Sequence, residues 1–214
     1  MNPVDHMLIA WLIVNLFDTD IWTRRFALVA GTISDIDGLP ILFSSDLFKT
    51  YHHTLPHTLV FGIAVSAVLA ALVKRKSLAF SIFILAFAAH LGADMIGSWG
   101  VRAFAPFIST SFSTGSFLSN DVAYGVVNRA VEIAAWSGAI AILAFKKRTP
   151  VEFLSRKFDR ILADFLTLPF TAKCLICGKR AFFRCEVCSG TSCISHTAKR
   201  SKRIACVECE RVIR

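Results

Sequence analysis

The sequence predicts an all-α integral membrane helical bundle of four or five helices, followed by a small cysteine-rich C-terminal module. Three observations carry that fold class. Hydrophobic residues make up 55% of the 214-residue chain against 18% charged, with 19 Phe, which suits several membrane segments better than one anchor. All seven Cys lie between Cys174 and Cys209. Lys and Arg crowd the region after Lys146, so the formal net charge of +9 belongs largely to a separate C-terminal part. The expected divisions are a membrane-embedded domain over 1–148, an amphipathic linker helix over 149–170 and a cysteine module over 171–214.

The first predicted helix is the apolar run from Val4 to Phe17, with His6 in its first turn; Asp18-Thr19-Asp20 breaks it. No cleavable signal peptide is expected, because Met1 to Asp5 carries no positive charge and His6 interrupts the run. Ile21 to Ile33 reads as a second short helix that empties into a loop holding Asp35 and Asp37. After an apolar spacer, a third helix is expected near Pro56, with Thr54 as its N-cap, reaching about Val73. Lys74-Arg75-Lys76 turns the chain into a fourth helix, Ser77 to about Ile96, which Gly97-Ser98-Trp99-Gly100 stops. A long Phe-studded loop over 101–124 precedes a fifth helix from Asp121 to Phe145, ending at Lys146-Lys147-Arg148. Several runs fall short of the ~20 residues a spanning helix needs, so the first two helices form either a full pair or a shallow hairpin.

If these helices alternate in direction, Arg24, Arg25, Lys74, Arg75, Lys76 and Lys146 to Arg148 gather at one end of the bundle. His6, Asp35, Asp37, His52, His53, His57, His90, Asp94 and Glu132 gather at the other. The excess of Lys and Arg on cytoplasmic loops makes the basic end cytoplasmic and the His/Asp end external. Ionisable groups near lipid cost at least ~2.5 kcal/mol each, so such a gathering needs partners or a job. His and Asp at this density suit Zn, Mn or Fe, and one or two such divalent ions are the expected cofactor. A metal pair could activate a water and stabilise a leaving oxygen in phosphoester cleavage. His90 and Asp94 share a helix face by their i, i+4 spacing, whereas Pro56 frees His53 and His57 from a common face. Asp37 and Glu132 are candidate catalytic groups, although Glu132 could equally pair with Arg129.

These residues also fall into a recognisable order. An early His6, the step Ser34-Asp35-Ile36-Asp37, the element His52-His53-Thr54-Leu55-Pro56-His57-Thr58, and His90-x-x-x-Asp94 followed by Trp99-Gly100 and Pro106-Phe107 together resemble the YdjM-type bacterial inner-membrane proteins over about residues 1–110. The resemblance implies a membrane-bound metal-dependent hydrolase of the bacterial inner membrane. It also implies metal-ligand roles for His6, Asp35, Asp37, His52, His57, His90 and Asp94. His53 stands where the family commonly has Arg, Pro56 where it has Thr, and Ser34 where it has Pro, departures that bear on substrate contacts.

Residues 151–168 change character: Leu154, Phe158, Ile161, Phe165 and Leu168 recur every three to four residues, with Arg156, Lys157 and Arg160 on other faces. Such a helix could lie on an anionic leaflet or pack on the module that follows, and Pro169 is expected to end it. In that module Cys174-x2-Cys177, Cys185-x2-Cys188, Cys193-x2-His196 and Cys206-x2-Cys209 supply eight ligands, enough for two tetrahedral zinc sites. Pairs one and three would share one zinc and pairs two and four the other, as in a B-box or RING-like cross-brace. Eight protein ligands leave no open coordination position, so these two zincs are structural. The reducing cytoplasmic side also favours metal thiolates over disulfides.

Between the last two pairs, Lys199-Arg200-Ser201-Lys202-Arg203 could bind anionic lipid, an acidic protein segment or nucleic acid; without interleaved aromatics, nucleic acid is the weaker partner. The expected activity is cleavage of an ester or phosphoester, of a membrane lipid where the site opens at the interface. The alternative is a non-enzymatic membrane-anchored zinc-finger adaptor or metal sensor. A substrate-sized cleft beside an open metal position separates the two.

Overall fold

A computed structural model describes residues 2–96, 100–113, 125–200 and 203–212. The chain is mostly helical and divides into two compact units, Met1–Ala139 and Ile140–Arg214. The first unit opens with α1 (Pro3–Asn15), α2 (Ile21–Ala30), a 3₁₀ segment (Ile33–Leu42), α3 (Ser45–Tyr51) and a 3₁₀ turn (Leu55–His57). It continues with α4 (Leu59–Ala71) and α5 (Lys76–Asp94), and α6 (Asn128–Lys146) follows. Polar side chains start these helices as their chemistry dictates: Asn2 accepts from the Val4 and Asp5 amides, and Asp20 from those of Trp22 and Thr23.

Local details differ from the sequence expectation where side chains have other work. The cap of α4 is Thr58, whose hydroxyl accepts from the Phe61 amide at 3.2 Å. Thr54 is instead engaged elsewhere, its amide donating to Asp37 and its hydroxyl to the Tyr51 carbonyl. The spacer between Asp37 and His52 contains α3, whose seven residues are too few for helical periodicity to stand out. The stretch after Gly100 is tied down as well. Val101 and Phe112 exchange backbone hydrogen bonds of 3.0 Å, and the Leu59 amide donates to the Ala103 carbonyl at 2.8 Å. The expected stop at Gly97-Ser98-Trp99, and Phe117 and Asp121 of the loop and fifth helix, lie outside the described residues.

Helix α5 packs against α1, α2 and α4. Val14, Ala27, Ala30, Ala70, Ala79, Ile82 and Phe83 form one buried cluster; Phe87, Leu91, Val101 and Ala103 form a second, reached from the first along α5. Small residues set these approaches: Gly62 of α4 lies directly against the buried Phe87 ring, and Gly31 against Ala10. Among the described residues two helices, Lys76–Asp94 and Gly125–Lys146, are long and apolar enough to cross a membrane; Pro3–Asn15 and Leu59–Ala71 are shorter apolar helices. Along α6 only Ala135 is buried, while Ile133, Trp136, Ile140 and Phe145 are exposed. A surface of that kind is matched to lipid rather than water.

The second unit contains a 3₁₀ turn (Pro150–Phe153), α7 (Arg156–Thr171), β1 (Phe183–Arg184), β2 (Thr191–Ser192), β3 (Thr197–Arg200), β4 (Arg203–Cys206) and α8 (Val207–Val212). The strands pair antiparallel as β1 with β2 and β3 with β4. Ser155 caps α7, and the helix runs through Pro169 to Thr171 instead of stopping there. Proline removes one amide from that turn, and the bonds from Ala172 to the Leu168 carbonyl and from the Thr171 hydroxyl to the Thr167 carbonyl close the end regardless. Part of this helix packs on the cysteine module: the Phe165 ring lies tilted against Phe182 and Phe183, and Lys157 Nζ lies 3.3 Å from Glu186, while Leu154 and Phe158 of the apolar stripe are exposed. In the basic stretch 199–203, residues 201 and 202 and the side chains of the others lie outside the described residues.

The Gly62–Phe87 contact is testable. Alanine at Gly62 would gain up to ~1 kcal/mol of helix propensity, but its methyl would displace a fully buried ring at a cost of ~1–3 kcal/mol. Gly62→Ala is therefore expected to lower the Tm of the detergent-solubilised protein.

Candidate metal centre

The His/Asp groups come together from four separated parts of the first unit. His6 stands in the first turn of α1 and His90 and Asp94 in the last turns of α5, so antiparallel packing of the two helices places all three at one end. The 3₁₀ segment after α2 brings Asp35 and Asp37, and the turns flanking Pro56 bring His52, His53 and His57. His6, His57 and His90 are essentially inaccessible, and Asp94 and Asp37 are buried.

Asp94 is the common contact. Its Oδ1 lies 3.0 Å from His6 Nε2, and its Oδ2 lies 3.0 Å from His90 Nε2, 3.4 Å from His57 Nε2 and 3.9 Å from His53 Nε2. Asp35 Oδ1 approaches His90 Nε2 at 3.8 Å. One ligand atom from each of His6, Asp35, His90 and Asp94 falls within 4.8 Å of all the others, and His52, His53 and His57 form an adjoining group by the same measure. Both ring nitrogens of His6 and Asp35 Oδ2 are buried without a well-formed hydrogen bond, although His6 Nε2 is close to Asp94 in distance. Buried polar atoms rarely stay so, and groups that converge in this way are matched to a cation.

An outer layer fixes which nitrogen of each ring faces inward. His57 Nδ1 lies 2.8 Å from Asp37 Oδ2, and His90 Nδ1 lies 2.9 Å from the Gly31 carbonyl. A carboxylate and a carbonyl only accept, so each Nδ1 donates outward and each Nε2 is turned to the cluster. Those two Nε2 atoms are 3.3 Å apart. Facing lone pairs at that distance repel unless a proton or a cation lies between them. Two nitrogens bound to one tetrahedral ion at ~2.0–2.1 Å are ~3.3 Å apart, so the spacing fits a metal.

Asp37 serves the outer layer in this arrangement: it accepts from His57, from His52 Nδ1 at 2.8 Å and from the Thr54 amide at 3.2 Å. Burial favours its neutral form, but the bonds from His52 and His57 outweigh that and hold the carboxyl down at about 2. Burial likewise opposes charge on His57, and hydrogen bonding to Asp37 and Asp94 reverses it, raising the imidazole to about 9. His53 keeps the opposite balance, lowered to about 4 by burial and by its His57 and His52 neighbours. Its backbone is left-handed, with φ 61°, an uncommon conformation for a residue with a side chain. Glu132 is a member of neither His/Asp group and pairs with Arg129 Nη1 at 2.6 Å. The Gly31 carbonyl and the Phe48 ring, stacked on His52 at 4.5 Å between centroids, belong to the site yet carry no sequence signal.

The second unit gathers its ligands as interleaved pairs: Cys174, Cys177, Cys193 and His196 in one group, Cys185, Cys188, Cys206 and Cys209 in the other. Cys174 and Cys193 Sγ lie 3.6 and 3.5 Å from His196 Nδ1, Cys177 and Cys193 Sγ are 3.7 Å apart, and Cys188 and Cys206 Sγ 3.8 Å. A tetrahedral ion with metal–sulfur bonds of ~2.3 Å has sulfur–sulfur edges of ~3.8 Å, so both groups could hold one. Each of the first two Cys pairs is followed by a left-handed residue, Gly178 or Ser189, whose amide returns to the carbonyl of the first Cys. Desolvation opposes ionisation of Cys174 and Cys185, but the backbone amides turned onto their sulfurs outweigh it and lower both thiols to about 6, favouring the ligating thiolate.

Two outcomes follow from this geometry. Asp37→Asn keeps its size but weakens the hold on His52 and His57, and is expected to lower metal affinity of the first unit ~10–100-fold, measured by chelator competition, with metal retained by the cysteine groups. Cys185→Ser is expected to release one ion from the second unit and to loosen β3 and β4, read as faster amide exchange there, because Cys185 packs with Ala205 and Cys206.

No curated protein and no solved structure matches this chain. The family model for the YdjM inner membrane protein matches residues 1–153, which includes every group of the His/Asp cluster. With most of its length matched, its two candidate membrane helices and its His/Asp cluster, the chain belongs to the YdjM inner membrane protein family.

Proposed function

We propose that the protein is a metal-dependent hydrolase embedded in the bacterial inner membrane, cleaving an ester or phosphoester. The observation that carries this reading is the facing pair of His57 and His90 Nε2 atoms, 3.3 Å apart, with Asp94 against both. His6, Asp35, His57, His90 and Asp94 would hold one divalent ion (Zn, Mn or Fe), and His52 and His53 border room for a second. Bound there, the metal supplies Lewis acidity, making a water more acidic and drawing electron density from the ester.

The chain's own groups do the rest. Asp37 holds His52 and His57 with Nδ1–H toward itself, and His52, which lines the cleft, is the group that would take a proton from the attacking water. The water oxygen bonds to the acyl carbon or phosphorus, the ester bond to the leaving oxygen breaks, and the proton passes to that oxygen. Glu132, paired with Arg129, takes no step in this scheme. A cleft of ≈ 600 Å³ lined by His52, His53 and Thr54 gives a substrate access to the cluster, which favours an enzyme over a closed structural or sensing site.

In this reading α1, α2, α4, α5 and α6 form the membrane bundle, with Arg24, Arg75 and Lys146 at the cytoplasmic end and the cluster at the external one. The cysteine groups would hold two structural zinc ions on the cytoplasmic side, where thiolates stay reduced, and present a surface for a protein partner.

Metal content per chain in the purified protein tests the proposal. More than two ions are expected in the wild type and about two in His57→Ala/Asp94→Ala, with turnover of ester substrates falling on the order of 100-fold or more. About two ions in both proteins would overturn the reading and leave a membrane-anchored zinc-finger adaptor.

A further inference from the structure

The cleft beside the His/Asp cluster has a chemistry of its own. Its walls come from the end of α3 and the turns after it, and from the segment after Gly100. Lys49 and Arg102 bring two positive charges, Thr50, Thr54, Thr58 and Ser111 bring hydroxyls, and among the described residues no carboxylate lines it. Lys49 is only loosely engaged, its Nζ 4.0 Å from Asp46 on an open surface, and among the described residues Arg102 makes no ion pair. A neutral carboxylic ester gives these two cations nothing to neutralise. A phosphate oxyanion does, and guanidinium and hydroxyl groups are suited to its several acceptor oxygens.

The fold delivers both cations to the mouth of the metal site. Lys49 stands three residues before His52, which bonds to Asp37. Arg102 lies between the buried Val101 and Ala103, and their backbone bonds to Phe112 and Leu59 fix its place at the start of α4. Next to the cleft the surface turns apolar: Leu55 of its lining is exposed, as are Phe104, Phe107 and Ile108. An anionic head would meet Lys49 and Arg102 while an apolar tail lay along this rim.

We propose that this cleft is a phosphate subsite, that Lys49 and Arg102 recognise the anion, and that the substrate is therefore a phosphate ester with an apolar tail. The inference rests on the hydrolase reading above for its catalytic meaning, but anion binding can be measured without turnover.

The test uses the full chain in phosphatidylcholine nanodiscs, loaded with metal, and titrates phenylphosphonate as a soluble probe and dioctanoyl phosphatidate as a tailed one. Wild type is expected to bind both, the tailed probe more tightly. Arg102→Ala and Lys49→Ala are each expected to weaken phenylphosphonate binding on the order of tenfold, and Arg102→Lys to restore most of it. Metal content and Tm, expected to be unchanged in these variants, verify that they fold. Equal affinity for the two probes would still establish the anion subsite and refute the apolar-tail part. Binding unaffected by removing both charges, or no binding of either probe by folded wild type, would overturn the subsite. Hydrolysis of p-nitrophenyl butyrate by a wild type that binds neither phosphonate nor phosphatidate would leave the hydrolase reading standing without the subsite. Charge-dependent phosphonate binding with no turnover of phosphate or carboxylate esters would keep the subsite and remove the hydrolase.

Discussion

The contacts of Asp94 with three imidazoles are what the first unit depends on. His6, His57 and His90 are each buried and each reaches this one carboxylate, so α1, α5 and the Pro56 turn meet at a single point. Taking such groups out of water is expensive, by several kcal/mol for an isolated charge, and mutual contact offsets that cost only when the geometry is held tightly. The rest of the unit can be read as the means of holding it. Asp37 and the Gly31 carbonyl orient His57 and His90 from behind, and the small residues Gly31 and Gly62 let α1, α2, α4 and α5 approach closely enough for the groups to touch.

A division of labour follows between the two carboxylates of the 3₁₀ segment. Asp35 faces the cluster, 3.8 Å from His90, with one buried oxygen left without a hydrogen bond. Asp37, two residues on, is saturated by His52, His57 and the Thr54 amide, and so tunes the imidazoles from outside. Carboxylates of this second kind govern tautomer and basicity of metal-binding histidines, which makes them as important to affinity as many direct ligands.

The second unit solves a different problem. Its strands are two to four residues long, and its core beyond α7 is little more than Cys185, Ala205, Cys206 and their neighbours, too small to hold a fold by hydrophobic burial alone. The two Cys/His groups are placed where bound ions could take over that role, and the tight turns after Cys177 and Cys188 aim them. Helix α7 adds Phe165 against Phe182 and Phe183, while Leu154 and Phe158 of the apolar stripe stay exposed.

Much of this was legible in the residues themselves. The apolar runs announced the helices, His90 and Asp94 were bound to share a face by their spacing, and the Cys-x2-Cys pairs announced two interleaved ligand groups, because these signals are local and periodic. Alternating helix direction was enough to bring His6 and His90 to one end. Only the tertiary structure decided the division between Asp35 and Asp37, the role of the Gly31 carbonyl, the pairing of Glu132 with Arg129 and the placing of Lys49 and Arg102 around one cleft. Those depend on contacts across long stretches of chain, where side-chain type says what a residue can bind but not which neighbour the packing will bring to it.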